Sequence, residues 1–150
     1  MNRIYFCGSI RNSRQDQQLY SAIVDMLKNY GQVLTEHVAQ EDTKAALEEN
    51  ANVKLSDNDP LERDRQIFKT DIDWLQSADL VVAEVTQVSM GVGFELGVAW
   101  KLGKRVVCLF RESARTNLSA MVQGCPTFEI VRYESAIELS DEFEKLFGTD

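Results

Sequence analysis

The chain has 150 residues, of which 44% are hydrophobic and 27% charged, the balance of one globular domain with a sizeable core. Its formal net charge is −8, which excludes long nucleic acids as expected partners because a polyanion needs a basic surface to displace its counterions. The sequence contains no run approaching the roughly 20 apolar residues of a membrane helix, so we expect no membrane partner.

Cysteine and histidine usage narrows the chemistry further. The three cysteines, Cys7, Cys108 and Cys125, are an odd number at wide spacings, and no signal-peptide pattern is present. We therefore expect reduced thiols and a cytoplasmic protein, with a nuclear location as the alternative in a eukaryote. His37 is the one histidine, and the sequence has no CxxC or HExxH pair, so we expect no metal site and no cofactor.

The first half of the chain alternates strands and helices. Apolar runs and helical periodicity predict a strand, a helix and a second strand at Arg3–Cys7, Ser13–Asn29 and Gln32–Leu34. The polar, acidic stretch from Glu36 to Asp59 then indicates a long loop or lid with one or two helical turns. Pro60 begins a predicted helix that runs to about Ser77.

The second half continues the alternation. A buried strand is predicted at Asp79–Val85, and a helix opened by Gly91-Val92-Gly93 follows at Phe94–Leu102. Two further strands, at Lys104–Phe110 and Thr127–Val131, are each followed by a helix, at Asn117–Gln123 and Ala136–Phe147. This order is typical of a single α/β domain with a parallel sheet of about five strands and helices on both faces. The apolar helix positions include Trp74 and Trp100, which we interpret as core residues rather than base-stacking platforms.

Ligands of such sheets bind beyond the carboxyl ends of the strands. In this sequence those ends are Gly8–Arg11, Thr35–His37, Val85–Gly93 and Phe110-Arg111. The segment CGSIRNSR follows the first strand, and its glycine, hydroxyl groups and arginines (Arg11, Arg14) suit an anion cradle. A tight strand–helix turn with a serine cap is the alternative interpretation.

A second segment, VTQVSMGVGFELG, places Glu95 in the first turn of the predicted helix, with Ser89 and Gly91 as candidate ligands of a phosphate or sugar hydroxyl. Complementation of the helix dipole would explain a carboxylate there without any function. Asp71 and Asp73 lie on the preceding helix, and two converging acids would suit glycoside cleavage. Tyr5 is either a core residue or a donor that orients a catalytic carboxylate.

The motifs YFCGSIR, VLTEHV, DIDWLQSADLVVAEVTQVSMGVGFELG and LSAM, spread in order over roughly residues 3 to 125, resemble those of the 2′-deoxynucleoside 5′-phosphate N-hydrolases. That family lies within the nucleoside 2-deoxyribosyltransferase superfamily. The resemblance implies a Rossmann-like or flavodoxin-like sheet, a homodimer and a small-molecule nucleotide substrate. It also implies hydrolysis of a deoxynucleoside monophosphate to a free base and 2-deoxyribose 5-phosphate.

The same resemblance implies roles for individual positions. Glu95 matches a nucleophile that forms a glycosyl-enzyme intermediate, Tyr5 a tyrosine that orients it, and Asp71 a carboxyl group that transfers protons at the sugar. His37 matches a residue beside the base. The substrate-binding positions implied are Gly8, Ser9, Ile10, Arg11, Asn12, Ser13, Arg14, Ser89 and Gly91, together with Ser119, Ala120 and Met121, which would reach into the neighbouring subunit's site.

Three features depart from the family pattern: Asn12-Ser13 in place of a glycine pair, Val88 in place of a proline, and the acidic stretch from Glu41 to Asp59. Three other functions are alternatives. They are a nucleoside 2-deoxyribosyltransferase, a ribonucleotide N-glycosidase of the CMP type, and a nucleotide-binding module without turnover.

Overall fold

The computed structural model of the chain describes residues 2–10, 16–39 and 43–148. Five parallel strands form one sheet in the order β2-β1-β3-β4-β5, with bounds β1 Asn2–Cys7, β2 Gly31–Val33, β3 Leu80–Glu84, β4 Arg105–Arg111 and β5 Phe128–Tyr133. This is the flavodoxin-like strand order. The predicted parallel α/β sheet is thereby confirmed.

Six α-helices and one short 3-10 helix connect these strands within the described residues. The α-helices are α1 Gln17–Leu27, α2 Thr43–Ala51, α3 Pro60–Ser77, α4 Met90–Lys101, α5 Ala120–Gln123 and α6 Ala136–Phe147, and the 3-10 helix is Glu36–Ala39. None of the helices in the described ranges is both long and apolar enough to cross a membrane.

The side chains of β1 alternate between two cores, because successive residues of a strand point to opposite faces. Ile4 and Phe6 pack in the core that contains Ile23 of α1 and Phe143 of α6. Tyr5 and Cys7 lie in the opposite core, which contains buried residues of α3 and α4 such as Leu75 and Leu96. Helices therefore cover both faces, as the sequence predicts.

The acidic stretch contains more regular structure than the expected loop with one or two helical turns. Helix α2 has nine residues, and Leu47 and Leu55 are both almost completely buried. The Glu48 carboxylate accepts a hydrogen bond from the Leu55 backbone N–H at 3.0 Å, and the Gln66 side chain of α3 accepts one from the Ser56 N–H at 2.8 Å. The end of this stretch is thus packed and hydrogen-bonded to the start of α3.

Other predicted boundaries change in ways that affect the site. Helix α4 begins at Met90, so the two glycines lie inside the helix and do not precede it. Helix α5 covers only four residues of the predicted Asn117–Gln123 segment. Trp74 is half-buried, whereas Trp100 is 55% exposed, so the assignment of Trp100 to the core is wrong.

Truncation of Leu55 tests how firmly the acidic stretch is attached. Leu55→Ala should lower the free energy of unfolding by about 2–4 kcal/mol, the usual effect of removing a buried leucine side chain. Urea denaturation measures it. Leu61→Ala, at a position 58% exposed, is the matched control and should change stability by less than about 0.5 kcal/mol. Equal, small losses in both variants would show that the stretch is not held to the domain.

Candidate active site

Strand β1 supplies two side chains to the site from the middle of the sheet. Tyr5 and Cys7 are each 2% exposed and point to the face covered by α3 and α4. Both residues pair with β3 in register, Tyr5 with Val81 and Cys7 with Ala83. Their position is therefore fixed by the most deeply buried part of the fold.

Glu95 reaches these two side chains from α4. The Ser89 hydroxyl oxygen caps this helix by accepting the Val92 N–H at 3.3 Å, so Glu95 is the sixth helical residue and lies in the second turn. The prediction of the first turn is wrong. Because the field of a helix terminus falls off within its first turn, dipole complementation is a weak explanation for Glu95.

The surroundings of the Glu95 carboxyl group act on its pKa in opposite directions. Burial raises the pKa above its ordinary value, while hydrogen bonding from the Tyr5 hydroxyl and the Cys7 thiol lowers it. Burial and the Glu95 charge in turn raise the pKa values of Tyr5 and Cys7 far above their usual range, so both keep their protons and act as donors. The arrangement orients the carboxylate and leaves it partly desolvated.

Asp71 comes from α3, on the other side of the same site. The Asp59 carboxylate caps this helix by accepting the Glu62 N–H at 3.1 Å, and Pro60 occupies its first position. Burial, and then the nearby Glu95 charge, raise the pKa of Asp71 to about 7. The Asp71 carboxyl group is therefore protonated up to near-neutral pH. Glu95, the second carboxyl group of the site, instead accepts hydrogen bonds from two donors, Tyr5 and Cys7.

His37 completes the group from the 3-10 helix that follows β2. The Thr35 hydroxyl holds the preceding residues to β1 by accepting the Phe6 N–H at 2.8 Å and donating to the Phe6 carbonyl at 2.7 Å. The His37 ring is 3% exposed and lies against Trp74, with ring centroids 5.5 Å apart. Burial lowers the pKa of His37 to about 4, so the imidazole is neutral at pH 7.

Two buried polar atoms in this site have no hydrogen-bond partner among the described residues: His37 Nδ1 and Asp71 Oδ1. His37 Nε2 lies 3.9 Å from Asp71 Oδ1, which is too long for a hydrogen bond. Buried polar atoms are almost always paired in folded proteins, and an unpaired one requires an explanation. A polar ligand that bridges these two groups would provide it.

The predicted anion cradle is described in part. Gly8 and Ser9 are buried and Ile10 is exposed, whereas Arg11, Asn12, Ser13 and Arg14 lie outside the described residues. The Tyr20 hydroxyl of α1 accepts the Ser9 N–H at 3.1 Å, and a Cβ atom at Gly8 would come within 2.8 Å of the Tyr20 ring. The turn after β1 thus requires glycine because an aromatic ring of α1 packs against it.

Most of the remaining predicted binding residues line a groove of about 670 Å³ beside α4. Its lining residues include Ser89, Ser119, Ala120 and Met121, but not Tyr5, Asp71 or Glu95. The Ser119 hydroxyl caps α5 by accepting the Met121 N–H at 3.2 Å. Gly91 is exposed, in the first turn of α4. The structure therefore does not bring Ser119 to the Glu95 of its own chain.

The sequence does not predict a second group of buried polar residues, although it places one member, Arg111, at the end of a strand. Glu84 ends β3 and is 2% exposed; one of its oxygens accepts the Tyr133 hydroxyl and the other the Thr86 N–H. Arg111, at the end of β4, donates to the Asp16 carboxylate at 3.1 Å. A glutamate inside the apolar run DLVVAEV is the signal that could have identified this group, because ionised side chains are rarely buried unless paired.

The geometry brings together Tyr5, Glu95, Asp71 and His37, at the carboxyl ends of β1, β2 and β3. An ionisable carboxylate with two donors, beside a protonatable carboxyl group, suits attack at an anomeric carbon with proton transfer to the leaving group. In the described ranges no three His, Cys, Asp or Glu side chains are grouped as they would be to hold a metal ion.

Comparison with known proteins places this site in a family. Residues 4–140 match the family model of the nucleoside 2-deoxyribosyltransferases. A 5-hydroxymethyl-dUMP N-hydrolase from Rattus norvegicus is 51% identical over 121 residues, 81% of this chain and 68% of the rat protein. The Homo sapiens protein of the same name is 45% identical over 150 residues, which cover 98% of this chain and 80% of the human protein.

Solved structures agree on the fold. A 2-deoxyribosyltransferase from Bacillus psychrosaccharolyticus superposes with a TM-score of 0.67 at 18% sequence identity, covering 93% of this chain and 90% of that chain. Identity this low supports the shared architecture alone. With the family match over most of the sequence and the close similarity to the two mammalian proteins, these findings show that the chain belongs to the nucleoside 2-deoxyribosyltransferase family.

Proposed function

We propose that this chain hydrolyses the N-glycosidic bond of 2′-deoxynucleoside 5′-monophosphates and releases a free base and 2-deoxyribose 5-phosphate. The observation that carries the proposal is the pair of carboxyl groups Glu95 and Asp71, which share one site and differ in their hydrogen-bond donors. The names of the rat and human relatives, 5-hydroxymethyl-dUMP N-hydrolase, support this substrate class and hydrolysis over base transfer.

In the proposed mechanism Glu95 is the nucleophile. Cleavage builds oxocarbenium character at the anomeric carbon, and the Glu95 carboxylate captures it as a glycosyl ester while the bond to the base breaks. Asp71, whose pKa of about 7 keeps it protonated below neutral pH, donates its proton to the departing base. The Asp71 carboxylate then accepts a proton from water as that water attacks the ester, which frees Glu95 and restores the proton on Asp71.

Binding groups surround this pair. In this proposal Tyr5 orients the Glu95 carboxylate, and His37, whose buried Nδ1 is unpaired among the described residues, lies beside the base. We assign the 5′-phosphate to the turn from Gly8 to Arg14 and to Ser89 and Gly91 at the start of α4. Phosphate contacts far from the reacting bond supply binding energy that places the sugar. They also favour nucleotides over unphosphorylated nucleosides as substrates.

We further propose that the protein acts as a homodimer in which Ser119, Ala120 and Met121 complete the partner's site. Large apolar side chains are exposed on α4 and next to the groove: Val88, Met90, Phe94, Trp100 and Met121 are 55–92% exposed. A Cβ atom at Gly93 or Gly97 would meet no other atom within 4 Å, so these glycines are not required by packing inside the chain. An exposed apolar surface of this kind is typical of an interface.

Removal of the Glu95 carboxylate should abolish turnover. Glu95→Gln and Glu95→Ala should each lower kcat for base release from 5-hydroxymethyl-dUMP by about a thousandfold or more, the scale seen when a covalent nucleophile is lost. Chromatography of the released base measures the rate.

Glu129→Gln, a change at an exposed ion pair with Arg105, is the control and should keep the wild-type rate. Wild-type turnover in Glu95→Ala would remove Glu95 from the nucleophile role. Addition of a second base to the wild-type enzyme tests the transferase alternative, since base exchange faster than hydrolysis would favour it. Release of base from CMP faster than from dCMP would favour the ribonucleotide alternative.

Replacement of Asp71 should change the pH dependence of both activity and stability. As the proton donor, Asp71 should cause kcat/KM to fall as pH rises through about 7, its pKa in the ligand-free protein, and Asp71→Asn should lower kcat/KM by about a hundredfold and remove that descending limb. A pH–rate profile from pH 5 to 9 measures it. Asp73→Asn, two residues away at a side chain 58% exposed, is the matched control.

The stability change has a defined sign. Because the folded-state pKa of Asp71 is above the ordinary value of 3.8, the folded protein holds more protons between about pH 4 and 7, and the wild type loses stability as pH rises through that range. Asp71→Asn should therefore gain about 1–3 kcal/mol relative to the wild type at pH 8 and little at pH 4. An unchanged difference across this range would contradict the raised pKa.

Mixed dimers test whether Ser119 belongs to the neighbouring site. Ser119→Arg, which fills the pocket with a long cation, and Glu95→Gln should each be inactive as homodimers. Exchange of subunits in an equal mixture should restore about one quarter of wild-type activity, because half of the dimers would each contain one intact site. Light scattering must show both variants as dimers. No recovery in mixed dimers would place Ser119 outside the partner's site.

A further inference from the structure

Cys7 is the second hydrogen-bond donor to Glu95, and the proposed mechanism gives it no role. Its side chain is 2% exposed and belongs to the core between the sheet and helices α3 and α4. The thiol donates to the Glu95 carboxylate alongside the Tyr5 hydroxyl. A cysteine side chain extends only one atom beyond its Cβ, so the carboxylate must lie close to the strand at this point. The contact therefore fixes the carboxylate relative to the sheet.

A second buried cysteine, Cys108 of β4, shows what distinguishes Cys7. Ala83 of β3 pairs in register with Cys7 on one side and with Cys108 on the other, so all three side chains point to the same face of the sheet. Burial, and then Cys125, raise the pKa of Cys108 to about 12, and Glu95 is not among the groups that act on it. Cys108 thus behaves as a buried thiol usually does, as a small apolar side chain. Cys7 differs from it by its contact with a carboxylate.

The titratable groups of the described residues that face Glu95 come from two elements. Strand β1 contributes Tyr5 and Cys7, and α3 contributes Asp71. Below pH 7 these three groups keep their protons, because the pKa values of Tyr5 and Cys7 are far above their usual range and that of Asp71 is about 7. His37, near Asp71, is uncharged above about pH 4. Glu95 thus ionises among uncharged described neighbours, where hydrogen-bond donors favour its charged form.

We propose that Cys7 is a positioning residue of the glycosidase site: its thiol holds the Glu95 carboxylate ionised and in place for attack on the sugar. This proposal rests on the proposed function, because it takes Glu95 as the nucleophile. A thiol is a weak donor, so it favours the charged form while leaving the carboxylate more basic than a second hydroxyl would. Cys7 acts on the substrate through Glu95.

Removal of the thiol should make activity more sensitive to acid. Cys7→Ala lacks the donor, so the pKa of Glu95 should rise and the ascending limb of the kcat/KM profile should move to higher pH. Relative to wild type, kcat/KM for 5-hydroxymethyl-dUMP should fall about threefold more at pH 5 than at pH 7, the scale of one modest hydrogen bond. Cys7→Ser keeps a donor and should not show this additional loss. The second ionisation of the substrate phosphate is common to all variants and cancels from these ratios.

Cys108→Ala is the matched control, because it truncates a buried thiol on the same face of the sheet that does not act on Glu95. Urea denaturation should show a loss of stability comparable to that of Cys7→Ala, whereas the ratio of kcat/KM between pH 5 and pH 7 should stay at the wild-type value. If Cys7→Ala does not fold, Cys7→Val, which fills the space of the thiol without a donor, takes its place with the same expected result.

Carbon-13 NMR of the Glu95 carboxyl group tests its ionisation without turnover. In protein labelled at the side-chain carboxyl carbon of glutamate, the Glu95 signal is the one that Glu95→Gln lacks. Its titration midpoint should lie at higher pH in Cys7→Ala than in wild type. The midpoint in Cys108→Ala should equal that of wild type.

The outcomes are distinct. A Glu95 midpoint that is unchanged in Cys7→Ala would overturn the positioning role. The same conclusion would follow if Cys108→Ala or Cys7→Ser lost as much activity at pH 5 as Cys7→Ala does. A wild-type protein that releases no base would overturn the hydrolase proposal alone, since the NMR titrations still show whether Cys7 sets the ionisation of Glu95.

Discussion

Removal of two carboxyl groups from water is the constraint on which the site depends. Glu95 and Asp71 are both partly desolvated, which raises both pKa values, but their neighbours differ. Glu95 receives donors from Tyr5 and Cys7 that favour its ionised form, whereas Asp71 has a buried oxygen without a partner and faces the charge of Glu95. One environment thus separates two chemically similar groups into a base-like and an acid-like member.

The strand order brings these groups together. The connection from β1 runs to β2 on one side, and the connection from β2 crosses β1 to reach β3 on the other side, so the carboxyl ends of these three strands meet where the order reverses. Tyr5 and Cys7 come from β1, His37 follows β2, and Glu95 follows β3 on α4. Only Asp71 comes from a helix that precedes its strand, and it reaches the site because α3 packs on the same face as Tyr5.

Much of this could be predicted from the sequence. Apolar runs and helical periodicity identified the five strands and the parallel sheet, since both signals are local. The acidic stretch was predicted with too little helix, because its two buried leucines stand in a polar context that hides their packing. Trp100 was assigned to the core for the opposite reason: periodicity identifies an apolar position without saying what covers it.

The sequence predicts which residues form the candidate site, but it does not predict which of the buried polar residues contact one another. The sequence predicts Glu95 one turn too early, because its glycines indicate a helix that starts after them, whereas the Ser89 cap shows that α4 begins before them. The partnership of Arg111 with Asp16 joins residues 95 positions apart, and no local pattern contains it. Arg111 was recognised as lying at a strand end, but its partner depends on tertiary packing.

The burial of His37 has a consequence for ligand recognition that concerns tautomers. A neutral imidazole has one donor nitrogen and one acceptor nitrogen, and which is which is set by the partners of the ring. In this site Nδ1 has no hydrogen-bond partner among the described residues, and Nε2 lies 3.9 Å from Asp71 Oδ1, beyond hydrogen-bond distance. No described partner fixes the protonation of Nδ1, so a ligand that contacts this nitrogen would select the tautomer that complements its own edge, whether that edge donates or accepts.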